Sequence, residues 1–406
     1  MGQQEDGLPS DVPLVKALVT GAGGFLGGAI ARALKDRGDE VRSFSRAEHP
    51  ELAAYGIQQY QGDLVDPEAV AAAARGVNIV FHTAAKVGAG GRYADFHTAN
   101  VTGTANVIRA CRESGALALV YTSTPSVVVG RKALENADES VSYPTRYDSH
   151  YSHTKAEAER LVLSSGTDEM KTVALRPPII WGPGDTSLLP RIIERAQNGS
   201  LRRIKGPPVL TDITFINDAV RAHLNAGDRL LAGGDGAGRI NGRPYFVSAG
   251  TPVEIWDFLN ALLETAGISP IQKSISLRTA LLVAWFSEKI HALSRAKGDP
   301  RMSRWIVRQL ATSRWFNISA ARQDLGYEPL VSLEDGMRRL QAWFDEQDRE
   351  EPQDAEKPED PGNPADPADP GDPEDPGDPE DPRDPENPRD PEDPRDPEDP
   401  EDPDQV

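Results

Sequence analysis

A single cysteine, Cys111, occurs in 406 residues, so no intrachain disulfide can form and a reducing compartment is the natural expectation. The opening stretch "MGQQEDGLPSD" lacks the basic and apolar segments of a secretory signal, and Asp6 stands where a myristoylation signal wants Ser or Thr. A cytoplasmic protein is expected. The seven histidines are scattered without metal-ligand spacing, so no metal is expected. Nor do Lys and Arg cluster into the basic field that phosphate contacts need, and nucleic-acid binding is not expected.

Charge of one sign is confined to one end. From Glu351 to Val406 there are 24 Asp and Glu against four Lys and Arg, and the remaining 350 residues carry 40 of each sign. Within this tail Pro recurs at every third position from Pro358 to Pro403. Such a segment cannot form a core. With φ fixed at each Pro and like charges repelling, it should be disordered and favour polyproline II, extending about 3.1 Å per residue. A solubilising or spacing role is expected, with cation binding or docking as the alternative; the tail would repel DNA and anionic lipid.

The body alternates strand and helix. "LVKALVT" (14–20) is a short apolar, β-branched run followed by glycines, then "AIARALKDRG" (29–38) has helical spacing and a Gly stop. "EVRSFSR" (40–46), "NIVFHTAA" (78–85) and "ALVYTST" (118–124) repeat the strand signal, and "TGTANVIRACRESG" (102–115) the helical one. This alternation predicts an α/β fold with a doubly wound parallel sheet covered on both faces. The expected division is a flexible lead (1–13), a dinucleotide-binding domain (14–180), a smaller, less regular substrate lobe with some elements returning to the sheet (181–348), and the tail (349–406).

"VTGAGGFLGGAI" sets Gly21, Gly24 and Gly27, with Phe25 and Leu26 between them, at the turn from first strand to first helix. There glycine permits the tight turn and lets backbone N–H groups approach a pyrophosphate at the helix N-terminus. The spacing Gly-x-x-Gly-x-x-Gly resembles the short-chain dehydrogenase/reductase superfamily, which implies a Rossmann fold and a nicotinamide dinucleotide. The second strand ends in Ser45 and Arg46 where an Asp or Glu would favour NAD; a guanidinium can grip a 2′-phosphate, so NADP is favoured and NAD is the alternative. Arg46 as a plain surface residue is the competing reading. By the same resemblance Asp63 and Leu64 of "GDL" sit where the adenine is held, although Asp63 would equally cap the helix that begins near Pro67. Thr83, Ala84, Ala85 and Lys86 follow at the end of the fourth strand, where the small ones among them would leave room for the nicotinamide ribose, and His82 reads as a packed histidine.

"YSHTK" puts Tyr151 and Lys155 on one helix face. In the superfamily this phenol passes its proton to a substrate carbonyl while the ammonium lowers the phenol pKa and binds the ribose. The hydroxyl opposite would come from Thr124 or, alternatively, Ser123. Asn100 matches the Asn-bearing helix of the extended branch, where it orders that helix or joins a proton relay. "ALRPPIIWGPGD" (174–185) resembles the branch's Arg-Pro segment, with Pro178 and Ile179 meeting the carboxamide through backbone and Trp181 lining the substrate mouth. Dehydratases of the branch carry an acidic pair after the strand-end Thr; here Pro125 and Ser126 follow.

"YTSTPSVV", "DITFINDAVRAH" (212–223) and "RWFNISAARQDLGYEPLVSLEDGMRRL" (314–340) place the resemblance in the 3β-hydroxysteroid dehydrogenase group, and within it among the 2-alkyl-3-oxoalkanoate reductases of bacterial long-chain olefin biosynthesis. It spans roughly residues 14 to 343. It implies NADPH-dependent reduction of a 2-alkyl-3-oxoalkanoic acid, a homo-oligomer, and assembly with neighbouring pathway enzymes. The alternatives are NAD-dependent oxidation of a steroid or sterol and, remotely, a cofactor sensor without catalysis. "TALLVAWF" (279–286) is too short for a bilayer, which takes about 20 residues; it suits an acyl-chain wall, a membrane interface or core packing. Arg295, Lys297, Arg301 and Arg304 follow, either a solvated face or partners for a carboxylate or lipid head group.

Overall fold

A computed structural model describes residues 14–294 and 298–350. The expectations for residues 1–13 and for the acidic repeat from 351 onward lie outside the described residues, as do Arg295 and Lys297. The central sheet has seven strands, β1 (Lys16–Thr20), β2 (Glu40–Ser45), β3 (Gln58–Gln61), β4 (Ile79–His82), β5 (Ala118–Thr122), β6 (Lys171–Arg176) and β7 (Arg243–Phe246), in the order 7-6-5-4-1-2-3. Every pairing is parallel. The helices used below are α1 (Phe25–Asp36), α2 (Gly103–Ser114), α3 (His150–Ser164), α4 (Ile216–Leu231), α5 (Ile255–Thr265), α6 (Leu277–Ser294), α7 (Arg304–Gln309) and α8 (Leu333–Glu350).

Parallel strands with both faces covered must be apolar on both sides, and the residues divide accordingly. Ala17, Val19, Phe81, Val120 and Val173 face the layer of α1 and α4. Leu18, Val80, Leu119 and Tyr121 face that of α2 and α3. The chain reverses winding direction between β1 and β4, so the carboxyl ends of these neighbours open a crevice. Beyond β6 the chain builds short pairs: Ile179–Trp181 lies parallel to Ile213–Phe215, and Arg203–Lys205 parallel to Ser274–Ser276.

Candidate active site

The glycine loop fills the crevice. Gly21 has φ +75°, and its N–H donates to the Phe44 carbonyl at 2.9 Å, tying the loop to the end of β2. A Cβ on Gly21 would stand 2.8 Å from the Ala84 backbone, and one on Gly27 would strike the Gly21 carbonyl and come within 2.6 Å of Thr83 Oγ1. Gly24 is the N-cap of α1, with no side-chain cap and no acid in the first turn, so the N–H groups of Phe25 and its neighbours remain available to an anion. Glycines that close approach makes obligatory, beside an uncapped helix end, fit a dinucleotide's pyrophosphate.

Around this loop, Thr83 donates to the Thr20 carbonyl (2.7 Å), holding Thr83 to Ala85 against the end of β1. Arg46 is exposed just past β2 and has no ion-pair partner among the described residues; its carbonyl accepts from Gln61 Nε2 at 2.9 Å. The imidazole of His49 lies directly against Gly23, a neighbour that nothing in the local sequence announces. Leu64 packs on Gly103, where a Cβ would come 2.8 Å from its own. The expected helix cap is corrected: Asp66, not Asp63, caps Pro67–Ala74, accepting from the N–H groups of Glu68 (3.0 Å) and Ala69 (3.1 Å). Asp63 closes a turn instead, accepting from Val65 N–H at 3.1 Å.

Ser149 caps α3 through Ser152 N–H (3.0 Å), which places Tyr151 in the first turn and Lys155 one turn on. Burial raises the Tyr151 phenol to about 12, and the nearby Thr124 hydroxyl alone opposes it. Lys155 is 2 % exposed, donates to the Thr122 carbonyl at 2.6 Å and lies 4.0 Å from the Tyr121 ring centre. Burial lowers it to about 7, with Glu159 pulling it back up. The ammonium is thus turned to the strand end, and the protein's own field does not acidify the phenol as expected.

Of the two candidate hydroxyls, Thr124 accepts from Ser126 N–H (3.2 Å) and faces Tyr151, whereas Ser123 Oγ is buried without a partner among the described residues. Both stand at the carboxyl end of β5. His82 bridges Thr20 (2.7 Å) and Thr104 (2.9 Å), fully buried, and is held near pKa 3 by desolvation and then by Lys155; it is a neutral packed histidine.

Asn100 sits in a π-helical turn, Thr98–Thr102, a local widening often found at functional sites. Its carboxamide accepts from Lys86 N–H (2.6 Å) and donates to the Lys86 carbonyl (3.0 Å) and Thr154 Oγ1 (3.0 Å). Thr154 in turn donates to the His150 and Tyr151 carbonyls. With both its N–H groups committed, Asn100 is a clamp between the loop after β4 and the Tyr151 turn.

Pro178 and Ile179 are half-buried after β6. Trp181 does not line a mouth. The register pairs it with Phe215 and sends the indole inward, 2 % exposed, edge-on to Phe215 and Phe258 of α5 and against Gly336 of α8. The aromatic that does meet the phenol is Trp305 of α7, tilted at 60° with ring centres 6.1 Å apart. Arg304 is committed to Glu288 (2.7 Å).

With this geometry in view, residues 18–278 match the 3-beta hydroxysteroid dehydrogenase/isomerase family. The 2-alkyl-3-oxoalkanoate reductase of Stenotrophomonas maltophilia is 44 % identical over 81 % of this chain and 99 % of its own. The sterol-4-alpha-carboxylate 3-dehydrogenase (decarboxylating) of Schizosaccharomyces pombe is 35 % identical over 82 % and 98 %. The UDP-glucuronic acid 4-epimerase of Bacillus cereus, solved with NAD, covers 82 % of this chain and 99 % of its own at TM-score 0.62 and 21 % identity, a likeness of fold alone. The chain belongs to the 3-beta hydroxysteroid dehydrogenase/isomerase family and is an NAD(P)-dependent oxidoreductase.

Proposed function

We propose that this protein reduces the 3-keto group of a hydrophobic 2-alkyl-3-oxoalkanoic acid to the 3-hydroxy acid, with NADPH as reductant. The observation that carries the chemistry is a half-buried phenol, Tyr151, facing the Thr124 hydroxyl at the end of β5 with Lys155 one turn away. The reductase from Stenotrophomonas, similar over nearly its whole length, supports the substrate class. Pro125 and Ser126, in place of an acidic pair, leave no side chain there to expel water.

A bound reduced nicotinamide would supply the hydride. As the ketone carbon accepts it, Tyr151 gives its phenolic proton to the oxygen, which the Thr124 or Ser123 hydroxyl holds by hydrogen bond. Lys155, positively charged below its pKa of about 7 and one turn from Tyr151, would hold the nicotinamide ribose of a bound dinucleotide and so keep the ring beside the phenol. Exposed Arg46 is the group that would pair with a 2′-phosphate. Homo-oligomerisation and association with enzymes that make the keto acid belong to the same reading.

The second reading, NAD-dependent oxidation of a 3β-hydroxysteroid or sterol-4-carboxylate, is favoured by the fission-yeast relative. A racemic 2-alkyl-3-keto acid with NADPH, set against a 3β-hydroxysteroid with NAD, separates the two. Turnover of the keto acid is expected; turnover confined to the steroid would replace the first reading by the second.

A further inference from the structure

Helix α6 turns its small side chains inward and its large apolar ones outward. Its inward side is Ala280 and Ala284, 1 % and 0 % exposed, while Leu282, Phe286, Ile290 and Leu293 are 56 %, 52 %, 67 % and 87 % exposed. At 3.6 residues per turn Leu282, Phe286 and Leu293 fall within about 40° of one another, so they form one outward stripe. Val283 widens it on one flank. On the other stand Trp285, Arg278 and Lys289, with the ammonium of Lys289 5.9 Å from the Trp285 ring centre. The acid of this helix, Glu288, is drawn away from the stripe by Arg304.

The stripe also has a basic margin at its beginning. The strand pair Arg203–Lys205 and Ser274–Ser276 leads straight into α6, and Arg202, Lys205, Lys273 and Arg278 are exposed there without an ion pair among the described residues. An anionic lipid surface complements both parts: acyl chains for the stripe and head groups for the margin. No helix among the described residues is long and apolar enough to cross a membrane, so the contact lies in the interface plane.

We propose that α6 docks this protein on an anionic lipid surface, with Leu282, Phe286, Ile290 and Leu293 entering the acyl region and Arg278 and Lys289 at the head groups. The carboxylates beyond residue 350 oppose adsorption, and salt limits their reach to a Debye length of about 8 Å at physiological ionic strength. α6 packs on α7, whose Trp305 touches Tyr151, so the docked face is one helix removed from the phenol. An amphiphilic substrate would then reach the cleft from the lipid.

Flotation of the full-length protein with vesicles tests this. Phosphatidylcholine vesicles containing phosphatidylglycerol should carry the protein up, and pure phosphatidylcholine should carry less. Leu282→Glu with Phe286→Glu should cut binding at least about tenfold, as should Arg278→Glu with Lys289→Glu. Dinucleotide affinity of both double variants should be unchanged, which shows that they are folded. Brominated lipid should quench tryptophan emission in the wild type and less in Trp285→Leu. Absence of flotation, flotation indifferent to both double variants, or a sedimentation profile in which the Leu282/Phe286 variant dissociates a dimer would overturn the proposal, the last by assigning the face to a second copy.

Discussion

A lysine buried to 2 % exposure is an expense the fold bears for the site, and its consequences are measurable at the level of the single residue. The folded pKa of Lys155 lies near 7, below that of an unfolded lysine, so between about 7 and 10.4 the unfolded chain binds more protons and stability rises with pH. Below pH 7 both states are protonated and the desolvation cost is fully present. Lys155→Met should therefore stabilise the protein at pH 6 by roughly 1–3 kcal/mol and much less at pH 10, read from denaturant unfolding at the two pH values. Ketone reduction should move the opposite way, with kcat falling through an apparent pKa near 7 as the ammonium is lost, and this limb should vanish in the variant. Arg46 offers a second test at this scale. Arg46→Asp should lower kcat/KM for NADPH by about 10- to 100-fold and leave that for NADH nearly unchanged.

Single residues were legible in the sequence where a short spacing defines their surroundings. The glycine loop and the Tyr151–Lys155 pair depend on one turn and one helix, each complete within a dozen residues. Trp181 was misread because the direction of its side chain is decided by a strand more than 30 positions away, Ile213–Phe215. Trp305 and His49 gave no signal as site neighbours, since only tertiary packing brings them to Tyr151 and Gly23. Asp66 won the helix cap from Asp63 by standing directly before Pro67, at the true start.

Among the elements, α3 carries both the chemistry and its anchor. One turn beyond Lys155, Glu159 is fully buried and binds Arg176 of β6 through two hydrogen bonds, at 2.9 and 2.7 Å, while Tyr143 donates to the same carboxylate at 2.6 Å. This fixes the helix to the strand that neighbours β5. Removing one charge strands the other, so Glu159→Gln should cost about 3–5 kcal/mol in urea unfolding, and Arg176→Met in the same chain should recover part of it. The strands that sequence reading did not find have plain reasons. β3 is "QQYQ", an edge strand with little apolar content, and β7 is "RPYF", whose proline is tolerated because β7 is the other edge. Of the central strands, β1, β2 and β5 were visible within two residues of their ends and β4 within three, whereas β6, with Lys171, Thr172 and Arg176 in its six residues, was not read as a strand.

For the whole molecule, the alternation of strand and helix in the first half predicted the doubly wound sheet, and the return of Lys171–Arg176 and Arg243–Phe246 to its edge completes it. The short pairs after β6 follow no period and were not foreseeable as strands. Every site residue named above lies between residues 14 and 350. A chain ending at Glu350 should accordingly keep its midpoint of thermal unfolding within about 2 °C and its kcat within about twofold, checked by calorimetry and steady-state assay. The central claim concerns hydride and proton arriving at one carbonyl, and NADPH deuterated at the transferable C4 position tests it most directly. Single turnover of a 2-alkyl-3-keto acid should place deuterium on C3 of the hydroxy acid, and Tyr151→Phe should bind the dinucleotide within about twofold yet form product about 10²- to 10⁴-fold more slowly. Deuterium absent from C3, or product formed at the wild-type rate by the Phe variant, would contradict the account.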